Sequence, residues 1–155
     1  MKTVERRTME KPTHLIEFET MLLGRYVQLS SRNGSHLDRS AYTLLSRIRM
    51  DGPMSIGQLS EAFGLDASTL NRQTAAMLRA GLVERIPDPE GGIARKFRIT
   101  GAGERSLDAE RSGNISGLER VMADWDPEEV AAFAAYLQRF NTDIEKLDGR
   151  PWPRP

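Results

Sequence analysis

Residues 55–73 read SIGQLSEAFGLDASTLNRQ, and the reading of the whole chain turns on them. Ser55 and Gln58 stand three apart just ahead of the apolar positions Ile56, Leu59 and Phe63. A Ser hydroxyl and a Gln amide at that spacing satisfy each other's free backbone N–H groups and start a helix. Gly64 closes this short helix, Leu65 follows, and Asp66 opens another, with Leu70 placed where a hydrophobic staple to Leu65 falls. Leu70, Thr74 and Met77 share one face of the new helix, and Gly81 ends it. A capped helix, a turn of about three residues containing glycine and a second helix make a helix-turn-helix.

Downstream the period changes to two. Leu82 to Ile86, a turn Pro87-Asp88-Pro89-Glu90-Gly91-Gly92 and Ile93 to Thr100 predict a β-hairpin. A helix-turn-helix with a basic hairpin behind it is a winged helix, the hairpin being the wing. From Gly101 the helical period returns, with Leu107, Ile115, Leu118, Val121, Met122 and Trp125 along a long helix. Asp126-Pro127-Glu128-Glu129 then supplies an N-cap, a first-position proline and a Glu at the capping-box position. The helix that follows puts Val130, Phe133, Ala134, Leu137, Phe140, Ile144 and Leu147 on one face, and residues 148–155, with three prolines, form a tail. Upstream, Leu15, Phe18, Leu22, Tyr26 and Leu29, thickened by Ile16, Leu23 and Val27, predict a heavily buried first helix ended by Asn33-Gly34. A second helix from about Asp38 to Met50 buries Ala41, Leu44, Leu45 and Ile48 before Asp51-Gly52-Pro53 stops it.

The 155 residues suffice for one ordinary domain or two small halves sharing a core. Lys plus Arg and Asp plus Glu both total 22, but they are not evenly spread. Residues 1–37 carry six basic and four acidic groups, residues 38–100 nine and seven, and residues 101–155 seven and eleven, or +2, +2 and −4. Arginine makes up 18 of the 22 cations, a bias that suits forked phosphate and guanine contacts and equally follows from a GC-rich genome. The absence of cysteine excludes disulfides, thiolate zinc sites, a cysteine nucleophile and a thiol switch. His14 and His36 lie far apart and in no metal-ligand spacing, so neither a metal nor a cofactor is expected. Asp124, Asp126, Glu128 and Glu129 are explained by capping, and Gly91-Gly92 lies in a hairpin rather than in a phosphate-binding loop, so no active site is expected. No apolar run reaches membrane-spanning length and the first twelve residues lack a signal peptide's apolar segment; a cytoplasmic protein is expected.

Taken in order and spacing, Met54-Ser55-Ile56-Gly57-Gln58-Leu59-Ser60, Ala67-Ser68-Thr69-Leu70-Asn71-Arg72, Ala80-Gly81-Leu82-Val83-Glu84-Arg85, Asp88-Pro89 and Arg98-Ile99-Thr100 resemble the signatures of the MarR family of bacterial transcriptional regulators. The likeness covers about Leu15 to Leu147. It implies a homodimer that binds a pseudopalindromic DNA operator and is released by a small ligand, that is, a repressor. The resemblance breaks at the wing tip, where Gly91-Gly92-Ile93 replaces the family's usual Asp-Arg-Arg. The missing minor-groove arginine leaves open an alternative, a winged-helix protein-interaction module without DNA binding, and makes Gly92→Arg an expected gain in DNA affinity.

The expected architecture is mainly α with a small β-hairpin wing: a flexible N-terminal arm over 1–12, a helical dimerisation region over 13–37 and 101–147, a winged helix-turn-helix lobe over 38–100 and a Pro-rich tail over 148–155. Ser68, Asn71 and Arg72 lie off the packing stripe of the recognition helix and are expected to meet DNA. Thr69 adds a hydroxyl, and the free N–H groups of the helix start offer a phosphate site. Gln73 either turns toward DNA or lies at a partly wet edge. On the wing, strict alternation puts Arg95 with Phe97 and Ile99, and Lys96 with Arg98; Arg95 and Lys96 are assigned to phosphates, or else only keep an edge soluble. Leu15, Phe18, Leu22, Phe133, Leu137, Phe140 and Ile144 exceed what the lobe needs for its own core and are assigned to the dimer interface. Tyr26, Tyr42, Met122 and Trp125 either line a pocket for a small aromatic or amphipathic effector or are plain core.

Overall fold

The computed structural model describes residues 9–30 and 37–155, without the side chains of 27–30. The first eight residues of the expected arm, the Asn33-Gly34 stop and His36 lie outside the described residues, as do the Val27 and Leu29 side chains. The chain divides into two units, Met1–Ser35 and His36–Pro155.

The first unit contains helix α1, Thr13–Ser30. Its apolar stripe is not buried as expected: Leu15, Ile16, Phe18, Leu23 and Tyr26 are all exposed by half or more. A lone helix has no interior of its own, so a stripe this wide needs cover from elsewhere.

The second unit runs α2 (Arg39–Asp51), α3 (Ile56–Phe63), α4 (Ala67–Arg79), β1 (Val83–Ile86), β2 (Lys96–Ile99), α5 (Gly101–Val121) and α6 (Pro127–Asp148). The caps on α3 and α4 fall where the sequence puts them. Asp38 caps α2 through Ala41 N–H; Ser55 and Gln58 form a complete capping box on α3; Asp66 caps α4 through Thr69 N–H at 2.8 Å. At the far end of α4 the Gly81 N–H donates to Leu78 O and the Leu82 N–H to Met77 O at 3.0 Å, a Schellman closure that turns the chain into the wing. The core sits in the winged lobe. Leu44, Leu45 and Ile48 of α2, Leu59 of α3, Leu70, Thr74 and Met77 of α4, Val83 and Phe97 of the hairpin and Leu107 of α5 are buried together with Leu37 and Met54.

The hairpin pairs Val83 with Ile99 and Ile86 with Lys96, antiparallel. Its second strand is shorter than predicted. Residues 93–95 leave the ladder because Asp88 gathers the turn inward: its carboxylate accepts the Glu90 N–H at 2.9 Å, and Lys96 Nζ lies 3.4 Å away. Arg95 therefore stands in the loop and does not share a strand face with Phe97 and Ile99. A third edge that periodicity did not show comes from Met54, whose N–H and carbonyl both bond Phe97, at 3.1 and 2.8 Å.

Thr100 joins three elements. Its hydroxyl donates to Gly81 O at 2.6 Å and accepts the Gly103 N–H at 3.0 Å, which caps α5, while its own N–H reaches Leu82 O. Gly103 then lies flat on the hairpin, and a Cβ there would land on the Leu82 carbonyl oxygen and come within 2.8 Å of Ile99 Cγ1. Helix α5 ends at Val121, so Trp125 lies in the following turn rather than on the helix. Pro127 forces Asp126 into an extended conformation, ψ 146°, and the two helices cannot run together. Asp126 occupies the N-cap position of α6, but its side chain makes no capping hydrogen bond. No residue of α6 is buried.

Candidate nucleic-acid interface

Helix α4 has two faces of opposite character. Leu70 and Thr74 are fully covered, the Thr74 hydroxyl donating to Leu70 O at 2.8 Å, and Met77 is nearly so. On the other face Ser68, Asn71 and Arg72 are exposed, with Thr69 and Gln73 half-buried at its margins. Among the described residues Arg72 makes no hydrogen bond or ion pair. A guanidinium so placed is able to fork onto guanine or a phosphate, and the Asn71 amide onto adenine.

The helix start is partly taken. The Asp66 carboxylate accepts both the Thr69 N–H and the Ser68 hydroxyl, at 2.8 and 2.9 Å, and so occupies one of the backbone N–H groups that the sequence reading offered to a phosphate. Hydrogen bonds from Thr69, then Ser68, and the charge of Arg72 hold the Asp66 carboxyl below the usual range. Ser68 is thus an exposed hydroxyl already donating inside the chain, free to accept rather than donate.

Gln73 is half-buried at the margin of the outward face. It borders an open groove of about 350 Å³ between α2 and the α3–α4 turn, with Arg39, Thr43, Phe63 and Leu65. Arg39 is a candidate that periodicity missed. It is exposed, its guanidinium makes no hydrogen bond or ion pair among the described residues, and it shares the groove with Gln73. The signal was an arginine in the first turn of α2, where the helix dipole favours acids.

On the wing the two expected cations differ. Arg95 is exposed and without a hydrogen-bond or ion-pair partner among the described residues. Lys96 instead points into the turn, where it and Asp88 are both largely buried. The Glu90 N–H, with the Lys96 charge behind it, keeps the Asp88 carboxyl below its ordinary value. Arg98 pairs with Glu84 across the strands, and the Arg85 guanidinium lies 5.7 Å above the Phe97 ring. At the tip Ile93 is fully exposed, and a Cβ on Gly92 would collide with Asp88 Oδ2. The absent arginine is therefore built into the turn, because Asp88 closes over a residue with no side chain.

Of the aromatic residues assigned to an effector, Tyr42 and Trp125 pack in different places within the second unit. Tyr42 half-buries against the core and its hydroxyl accepts from Arg111 Nε at 3.4 Å, whereas Trp125 packs edge-on against Phe133 at 5.7 Å beyond the end of α5. About 15 Å of helix separates Arg111 from Val121. Tyr26 lies on α1, in the other unit. The residues assigned to a dimer interface are uncovered: Phe133, Leu137, Phe140 and Ile144 are 40% to 50% exposed along α6, Leu15 and Phe18 somewhat more on α1, and Leu22 is half-buried. The described residues contain no acidic or histidine cluster able to hold a metal and no helix long and apolar enough to cross a membrane.

The family model described as the MarR family matches residues 37–91, which span α2 to the wing turn. An uncharacterised HTH-type transcriptional regulator of Bacillus subtilis, YxaD, is 36% identical over 135 residues, covering 85% of this chain and 94% of that protein. Among solved structures, a MarR family protein from Bacillus stearothermophilus superposes with a TM-score of 0.72 at 21% identity, over 87% of this chain and 98% of the other. FabT of Streptococcus pneumoniae, solved in complex with DNA, gives a TM-score of 0.71 at 15% identity over 88% of this chain and 99% of its own.

Proposed function

The chain belongs to the MarR family of transcriptional regulators, and from that premise we propose that it is a homodimeric repressor that reads duplex DNA with α4 and leaves it when a small aromatic or amphipathic ligand binds. The observation that carries this reading is the outward face of α4: Asn71 and Arg72 are exposed and Arg72 is unpaired among the described residues, opposite a face that is completely buried. Arg95 and Arg39 add cations for phosphates, while Lys96 is occupied by Asp88 in the free protein. The apolar stripe of α6 supports a second copy as its cover, since its Phe133, Leu137, Phe140 and Ile144 are too many and too regularly spaced for isolated surface residues. Release then requires a ligand that binds the DNA-incompetent arrangement more tightly than the competent one. The cytoplasm is the compartment this function requires.

Selection of bound sequences from random duplexes tests the reading and should return two inverted half-sites roughly one helical turn, about 34 Å, apart. On that operator Arg72→Ala should cost about 1 to 3 kcal/mol per half-site and relax one symmetric pair of positions, while Arg95→Ala should weaken all sequences alike and flatten the salt dependence. Retention of full affinity and discrimination by Arg72→Ala would move the reading role elsewhere. The wing tip without arginine favours a second reading, a protein-interaction module, which predicts no salt-dependent duplex binding at all.

A further inference from the structure

Beyond α6 the chain folds back instead of trailing away. The Arg150 N–H donates to Glu145 O at 3.2 Å, and Arg150 Nη1 reaches Asp148 Oδ1 at 2.8 Å. The same guanidinium crosses to α3, where Nε donates to Glu61 O at 3.2 Å and Cζ lies so close over Gly64 that a Cβ there would come within 2.8 Å. Trp152 follows. Its ring meets Phe63 edge-on at 5.3 Å, and the Arg47 guanidinium of α2 stacks on it at 4.8 Å while pairing with Asp51 at 2.6 Å. Arg47 Nη1 is buried there without a hydrogen-bond partner. Glu145, one turn before the end of α6, holds the return: its carboxylate accepts the Trp152 N–H at 3.2 Å and two Arg154 donors at 3.0 and 2.6 Å.

We propose that residues 150–154 are a positioning strap which fixes the α3–α4 pair against the end of α6 and so sets the distance between the two reading helices of the dimer. The proposal rests on the DNA-binding reading above. Its logic is mechanical. Helix α5 is joined to the lobe at several places, through Thr100, Gly103, buried Leu107 and the Arg49–Asp108 pair. Helix α6 follows it across the turn of residues 122–126 and shares none of those contacts, and a helix held at one end retains rotation about that end. The strap grips α2 and α3 at Arg47, Phe63, Gly64 and the Glu61 carbonyl, away from that first junction, and a second grip removes the rotation. Helix α3 passes the constraint to α4 through a turn of only three residues, Gly64 to Asp66. Trp152 is in this sense a positioning residue that touches no base, and it narrows the spacing of half-sites that the dimer accepts.

The test is a set of operators whose half-sites are separated by the selected spacer and by spacers one base pair shorter and one longer. Wild type should favour one spacer. Trp152→Ala should lose about tenfold on that spacer while the others fall by much less, flattening the preference, and Trp152→Phe should restore it by keeping a ring between Arg47 and Phe63. An unchanged preference in Trp152→Ala, or an equal loss on every spacer, overturns the strap as a spacing device. In a Trp125→Phe background the emission of Trp152 reports docking without DNA, and Phe63→Ala should expose it to an aqueous quencher; full quenching already in that background also overturns the proposal. A wild-type chain that shifts no duplex, with Trp152 still protected, sinks the regulatory reading instead.

Discussion

Gly92 shows how a single missing atom decides what a loop presents. The Asp88 carboxylate closes over it, held by the Glu90 N–H and by Lys96, and leaves no room for a Cβ. The sequence alone suggests that Gly92→Arg restores a groove-binding side chain; the structure adds the cost of displacing Asp88. Gly92→Arg should unhook Asp88 and distort the wing turn, so it should gain less operator affinity than Ile93→Arg, which adds the same charge at the fully exposed neighbouring position without that clash. Mobility shifts of both variants at two salt concentrations decide the order. Residues of this kind were only half legible. The buried Leu70, Thr74 and Met77 could be read from spacing, and so could the outward Asn71 and Arg72. The partnering of Lys96 with Asp88, and of Ser68 with Asp66, could not, because side-chain pairing inside a turn leaves no period behind.

Some elements announced themselves by their ends. Ser55 with Gln58 and Asp66 cap helices where the sequence puts them; Asp38 and Thr100 cap helices too without having been read as caps, and Asp126, read as one, makes no side-chain cap bond. The Asp66 cap also carries a pH dependence. Its folded carboxyl titrates below the ordinary range, so it stabilises α4 above that range and the contribution disappears as acid protonates it. Asp66→Asn should keep the cap but flatten the fall in stability on the acid side, measured by denaturant midpoints at successive pH values. What escaped were long-range partners: the Met54 bridge to Phe97, and the docking of a proline-rich tail that shows neither a helical nor a strand period. Gly103 belongs with these, since its flat contact on Leu82 was invisible until α5 was laid against the hairpin. Gly103→Ala should lift α5 off the wing and cost about 1 to 3 kcal/mol in urea unfolding.

For the molecule as a whole, the bare stripe of α6 makes assembly the first thing to measure. Light scattering at micromolar concentration should give a dimer mass, and Leu137→Asp should dissociate or unfold it by placing an unpaired charge in the covered surface. A folded wild-type monomer would contradict that assembly. The same α5–α6 region carries half of the acidic residues, so the +2 of residues 38–100 and the −4 of residues 101–155 sit on different elements of a chain whose sum is zero. A polyanion therefore exerts no net pull on such a body from afar; it exerts a torque. Within about 8 Å, the Debye length at physiological salt, a duplex should repel the acidic helices and attract the winged lobe, turning the outward face of α4 toward it before any contact forms. Added salt then acts on two separable quantities, slowing productive encounters by blurring their orientation and hastening departure by competing for phosphates.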